Sequence, residues 1–147
     1  MIGRKVGEEK LRSFLEKLGL LKKIDFELEE IGKPLDFNWD KCKLETISFG
    51  HGITTTPLQA AAAYASLTNG GYFIDPTLKL KKNLKIINRQ SIISKNTSNQ
   101  INKILRKVVT DKQGTGSFAD IFGYDVGGKT GTAKRSTTGS KNKNPFI

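Results

Sequence analysis

With one cysteine (Cys42) and one histidine (His51) among 147 residues, two kinds of chemistry are excluded at once. A disulfide within the chain is impossible. A zinc site draws most of its four ligands from Cys and His, so none can be assembled and no metal or other cofactor is expected. Cys42 should pack as a small apolar residue, and His51, between Gly50 and Gly52, has no visible partner to orient it for proton transfer. Long apolar runs are also missing. None approaches the roughly 20 residues needed to span a bilayer, and Met1 to Lys5 leads into Glu8 and Glu9 instead of the apolar stretch of an export signal. The expectation is a chain with no membrane segment and no signal.

Acidic residues are scarce in one part only. Residues 1–45 hold ten Lys/Arg and ten Asp/Glu, whereas residues 46–147 hold fifteen Lys/Arg against Asp75, Asp111, Asp120 and Asp125. The whole net charge of +11 therefore comes from the second part. Such an excess would suit nucleic acid, an anionic surface or carboxylate-bearing substrates. The lysines are scattered and not striped along a helix face, and no aromatic residues interleave with them. A basic nucleic-acid-binding module is thus a minor alternative, and no nucleic acid is expected as partner.

Three helices are legible. Leu11, Phe14, Leu15 and Leu18 form one apolar stripe in a helix starting near Gly7, with Glu8 and Glu9 at its positive end and Gly19 as its stop. Residues 20–47 read mostly as loop, with a turn at Gly32-Lys33-Pro34. Thr56 can cap a second helix, Pro57 suits its first position, and the tract Ala60–Ala63 would let another element approach closely. Asn69-Gly70-Gly71 ends that helix, and Tyr72-Phe73-Ile74 reads as a short strand. A third helix runs from Asn96 or Ser98 to Thr110, with Ile101, Ile104, Leu105 and Val108 as its core stripe and Arg106 and Lys107 complementing its negative end. Residues 134–144 read as an exposed polar loop, and no internal repeat is visible.

Residues 123–133, Gly-Tyr-Asp-Val-Gly-Gly-Lys-Thr-Gly-Thr-Ala, fit two catalytic motifs. Read from Gly123 they are G-x-x-x-x-G-K-T, the phosphate loop of nucleotide hydrolases. That loop must follow an apolar strand and open a helix. Downstream of Thr130 there is no helical apolar stripe and no Asp for a magnesium site. A P-loop nucleotide hydrolase is therefore the weaker alternative.

Read from Lys129, the same residues are Lys-Thr-Gly-Thr, the substrate strand of serine enzymes that react with penicillin. Lys129 would add positive potential beside a nucleophile. The hydroxyls of Thr130 and Thr132 can donate to a substrate carboxylate. Gly131 lets an extended substrate lie along the strand edge, and the backbone N–H of Thr132 could serve as an oxyanion donor, a contribution of about 3 kcal/mol.

The rest of the chain favours this second reading. Ser48-Phe49-Gly50-His51-Gly52-Ile53-Thr54-Thr55-Thr56-Pro57-Leu58-Gln59-Ala60, followed by Ala62, Tyr64, Ala65 and Asn69-Gly70-Gly71, resembles a block of class B penicillin-binding proteins. Gly114-Thr115-Gly116 ahead of Gly127–Ala133 resembles the next block in the same order, and Leu11–Leu20 resembles the helix before both. The likeness spans residues 3 to 135 and is greater to the division-specific transpeptidase than to the elongation-specific one.

The resemblance implies an α+β fold: part of a serine-transpeptidase/β-lactamase-like domain, with helices around a central antiparallel sheet, incomplete at both ends. It implies a peptidoglycan D,D-transpeptidase whose partners are the peptidoglycan stem peptide and β-lactams. The family is anchored in the inner membrane with a periplasmic domain; without a signal this chain would stay in the cytoplasm. The resemblance also implies a nucleophile in Ser-x-x-Lys and a proton relay in Ser-x-Asn, both ahead of the first helix. Here the only Ser-x-x-Lys is Ser140–Lys143, and Ser-x-Asn occurs at Ser94–Asn96 and Ser140–Asn142. Ser140 follows the substrate strand in a polar loop, so both are read as decoys.

Residues 1–147 are thus expected to be a partial transpeptidase domain, from after the Ser-x-Asn motif to just past the Lys-Thr-Gly-Thr strand. Its site residues are Lys129, Thr130, Gly131 and Thr132, with the nucleophile absent and the missing remainder of a split protein as a conceivable partner. Such a piece should be inactive and marginally stable alone, since an isolated strand leaves backbone groups unpaired.

Overall fold

The computed structural model describes residues 2–28, 32, 34, 39, 43–80 and 91–131. They fall into two compact units, one ending at Ile101 and the other starting at Asn102. The boundary lies within a helix, and each unit is described by itself.

The first unit opens with two helices, α1 (Ile2–Val6) and α2 (Glu8–Lys17). Gly7, at φ 83°, separates them. The expected helix near Gly7 is therefore α2, and α1 before it was not anticipated. Leu15 in α2 and Leu18 just past its end are buried, while Leu11 and Phe14 are partly covered. Gly19 stops the helix at φ 72°, where the N–H of Gly19 bonds to Glu16 O and that of Leu20 reaches Leu15 O. This pair of bonds satisfies carbonyls that the helix end would otherwise orphan. α3 (Lys43–Ile47) lies in the stretch expected to be loop. It packs against α1: a Cβ on Gly3 would sit 2.4 Å from Ser48 Oγ, and Arg4 Nε pairs with Glu45 at 2.8 Å. That pairing holds the Glu45 carboxyl below its usual pKa.

α4 (Pro57–Thr68) begins as the sequence indicates. Thr56 Oγ1 accepts from the N–H of Gln59 at 3.2 Å, and Gln59 Oε1 accepts from the N–H of Thr56 at 3.0 Å. This reciprocal cap leaves the Gln59 side-chain nitrogen free, and it donates to the carbonyls of Gly19 (3.0 Å) and Lys22 (2.7 Å). Gln59 is wholly buried and joins the start of α4 to the end of α2. Ala62, Ala63 and Ser66 are buried beside it, while Ala61, Tyr64 and Ala65 face solvent, so only one side of the alanine tract packs closely. Leu15, Leu18, Ile24, Ile47, Ala62 and Ala63 make the apolar core of this unit.

The expected strand Tyr72–Ile74 is reduced to a single antiparallel bridge, Tyr72 with Ser91. The neighbouring contact explains why the chain is tight here. Gly71, at φ 99°, brings its backbone so close to Ile93 that a Cβ would lie 2.1 Å from the Ile93 carbonyl oxygen. Asn69 secures the turn: its Oδ1 accepts from the N–H groups of Gly71 and Tyr72, and its Nδ2 donates to Tyr72 O.

α5 (Lys95–Thr110) starts in the first unit and continues into the second. Ser94 caps it, accepting from the N–H of Thr97 at 3.1 Å. The decoy Ser94 is therefore a helix cap. Ser98, buried within the same unit, donates to Leu67 O at 2.7 Å. The stripe of α5 differs from the expected one at one residue: Ile104 stands 62% exposed, and Val109 is buried at 3% exposure. Of the expected residues Ile101, Leu105 and Val108 are partly covered, and within the first unit Ser98 is buried on its hydrogen bonds with Gly70 and Leu67.

The second unit contains the rest of α5, a turn of 3-10 helix at Ser117–Ala119, and an irregular segment to Gly131. Among the described residues there is no strand, so the expected sheet has no counterpart in them. Cys42, Thr132 and residues 134–144, Ser140 included, lie outside the described residues. Among those described, no helix is long and apolar enough to cross a membrane, and no cluster of His, Cys, Asp or Glu could hold a metal ion.

Candidate substrate-binding segment

Three of the four expected site residues, Lys129, Thr130 and Gly131, are described, and all three are exposed. The segment that reaches them is fastened to α5 just before Lys129. The N–H of Gly128 donates to Leu105 O at 3.1 Å. One residue earlier, a Cβ on Gly127 would lie 3.2 Å from Arg106 N and Leu105 C, so the missing side chain lets the backbone pass the helix closely. Gly127 thus has a packing reason independent of any phosphate, whereas a Cβ on Gly128 would meet nothing within 4 Å.

Arg106 makes the second tie. Its Nη1 donates to Val126 O at 2.8 Å and to Asp120 Oδ1 at 2.9 Å, and its Nε lies 3.9 Å from Asp125 Oδ1. The sequence suggested only that Arg106 complements the end of α5; its guanidinium instead serves the segment that leads to Lys129.

At the exposed end, the hydroxyls of Thr130 and Thr115 lie 2.9 Å apart, and Lys129 Nζ donates to Thr130 O at 2.7 Å. Thr115 comes from the Gly-Thr-Gly loop after α5. That loop folds back because the N–H of Gly116 bonds to Val108 O, and Gly114 sits where a Cβ would be 2.2 Å from the same oxygen. The result is an exposed ammonium beside two adjacent hydroxyls, donors suited to a carboxylate. Thr115 was not singled out from the sequence as a site residue. Its signal was present in the Gly114-Thr115-Gly116 triplet, whose glycines fix where the hydroxyl stands.

The phosphate-loop geometry is not realised. Such a loop turns successive backbone N–H groups toward one anion, whereas the Gly128 N–H is consumed by Leu105 O. The residues ahead of Gly123 form a 3-10 turn and not a strand.

The described residues thus present a lysine ammonium and two threonine hydroxyls together at the exposed end of the segment, next to Gly131. The chain belongs to the family described as penicillin binding protein transpeptidase domain, whose model matches residues 1–146. It is 38% identical over 138 residues to the Caulobacter vibrioides protein named "Probable peptidoglycan D,D-transpeptidase FtsI", covering 92% of this chain and 23% of that protein. Stage V sporulation protein D of Bacillus subtilis is 35% identical over 159 residues, covering 99% of this chain and 24% of the relative. In three dimensions the chain is similar to penicillin binding protein 3 of Mycobacterium tuberculosis, solved with aztreonam, at TM-score 0.80 and 26% identity. That match covers 95% of this chain and 35% of the other. The expected kinship with class B penicillin-binding proteins rests on these relatives. The chain spans about a quarter of the length of the curated relatives it matches.

Proposed function

We propose that residues 1–147 are the substrate-strand portion of a peptidoglycan D,D-transpeptidase domain, of the division-specific type. The portion runs from after the Ser-x-Asn motif to just past Lys-Thr-Gly-Thr, and the complete domain sets helices around a central antiparallel sheet. Lys129 supplies positive potential, Thr130 and Thr132 bind the carboxylate of a peptide stem or β-lactam, Gly131 admits the substrate backbone, and the Thr132 N–H stabilises the oxyanion. The complete enzyme acylates a serine with one stem peptide, releases D-alanine and passes the acyl group to a neighbouring stem. In this sequence the only Ser-x-x-Lys follows the substrate strand, so the chain by itself carries out no turnover.

The observation that carries the reading is the cluster of Lys129 and the Thr130–Thr115 hydroxyl pair at 2.9 Å, on a segment tied to α5 at Gly128. Support also comes from the aztreonam complex of the M. tuberculosis relative. The test is a segment exchange. Residues 3–135 replace the matched segment of the C. vibrioides relative, and the product is incubated with fluorescent penicillin and run on a denaturing gel. A labelled band that is lost with Lys129→Ala supports the reading. An exchange protein that folds and stays unlabelled, or labelling indifferent to Lys129→Ala, refutes it.

A further inference from the structure

We propose that Arg106 is a positioning residue for this site, fixing where the chain delivers Lys129 and Thr130 and pairing with the two acids nearest to them in sequence. The proposal rests on the reading of the segment as a substrate strand. Arg106 holds the segment through a carbonyl, Val126 O at 2.8 Å, three residues before Lys129. The neighbouring Leu105 holds the same segment through its own carbonyl and the N–H of Gly128. Two consecutive residues of one rigid helix thus grip the chain on either side of Gly127. Both ties lie within three residues of Lys129, so they fix the point from which the chain delivers it. Only Val126 O depends on a side chain, so the placement can be altered there by substitution.

The guanidinium also has an electrostatic part. Residues 46–147 contain four acids, and Asp120 and Asp125 are the two closest in sequence to Lys129. Arg106 lies 2.9 Å from one and 3.9 Å from the other. An unpaired carboxylate on this segment would oppose an anionic substrate. The planar fork of arginine can serve a carbonyl and a carboxylate together, which the single ammonium of lysine does less well. Its side chain is 31% exposed, enough cover to hold the fork in place without desolvating it fully.

The test has two arms. In the chain as it stands, amide hydrogen exchange is read at Gly128, with the Gly116 amide, bonded to Val108 O, as the internal control. Arg106→Ala should speed exchange at Gly128 by about tenfold or more and leave Gly116 within about twofold. An unchanged Gly128, or a Gly128 unprotected in the parent chain, overturns the proposal.

The second arm follows penicillin acylation with time in the segment-exchange protein. Arg106→Ala should leave every molecule labelled at saturation but slow the approach by about tenfold, with Arg106→Lys falling between. A reduced labelled fraction at an unchanged rate would mean that Arg106 merely maintains the fold, and overturns the proposal. A parent exchange protein that never labels overturns the underlying substrate-strand reading and the proposal with it. The exchange data at Gly128 would still show whether the tie itself exists.

Discussion

Replacing Gln59 by leucine removes three hydrogen bonds while nearly preserving side-chain volume. The substitution strands the carbonyls of Gly19 and Lys22 and the N–H of Thr56. A buried orphan costs about 1–3 kcal/mol, so three would cost roughly 3–9. Lys22 is exposed and Gly19 and Thr56 are only partly covered, so water can reach some of these groups and the low end applies. Leucine transfers more favourably than glutamine into a fully buried position, returning about 1–2 kcal/mol. The net expectation is a loss of about 1–2 kcal/mol, read as a shift in the urea midpoint of the 222 nm signal at unchanged slope.

Gln59→Glu sharpens the test. A carboxylate there faces two carbonyl oxygens without a proton to donate, so its folded pKa is raised above the ordinary value of about 4.3. The folded state then binds the proton more tightly than the unfolded state, and stability falls as pH rises from about 4.3 toward the raised folded value. The glutamate variant should therefore be weakest at neutral pH and recover toward the parent on acidification. A leucine variant as stable as the parent, or a glutamate variant that weakens further on acidification relative to the parent, would refute the view that Gln59 joins α4 to α2.

Other outcomes follow from the same geometry. Gly71→Ala should cost at least about 2 kcal/mol, since it combines φ 99° with a Cβ 2.1 Å from Ile93 O; a circular-dichroism melt of the variant checks this. The Glu27 carboxylate accepts from Thr77 Oγ1 and from the N–H of Leu78, and both bonds lower its pKa. That clamp is therefore intact above the ordinary carboxylate range and is lost as pH falls through the lowered folded value. A carbon-detected titration placing Glu27 at or above the ordinary value would contradict it. Phe118 and Phe122 stand fully exposed in the second unit, with Tyr124 at 70%. The purified chain should therefore be marginally stable and prone to associate; cooperative thermal unfolding as a monomer would count against this.

The sequence was most readable where one residue type has one physical use. Thr56 and Pro57 announced the start of α4, and Gly19 the end of α2, because caps and stops are local. α1 and α3 were missed because five residues are too few to show a period. Of the expected α5 stripe, Ile101, Leu105 and Val108 are covered and Ile104 is not, while Ser98, considered only as a possible helix start, is buried on two hydrogen bonds. At the site, Lys129 to Thr132 could be read as a tetrapeptide. The parts that hold it, Arg106 and Thr115, lie 23 and 14 residues before Lys129 and meet it only through the fold. The sheet expected around the segment depends on long-range pairing that local pattern does not encode.

The most direct measurement is covalent labelling of the chain itself. Purified residues 1–147 are incubated with fluorescent penicillin and separated under denaturing conditions, beside Ser140→Ala. A substrate-binding segment without its nucleophile predicts no labelled band in either sample. A band in the parent chain that Ser140→Ala abolishes would contradict the account.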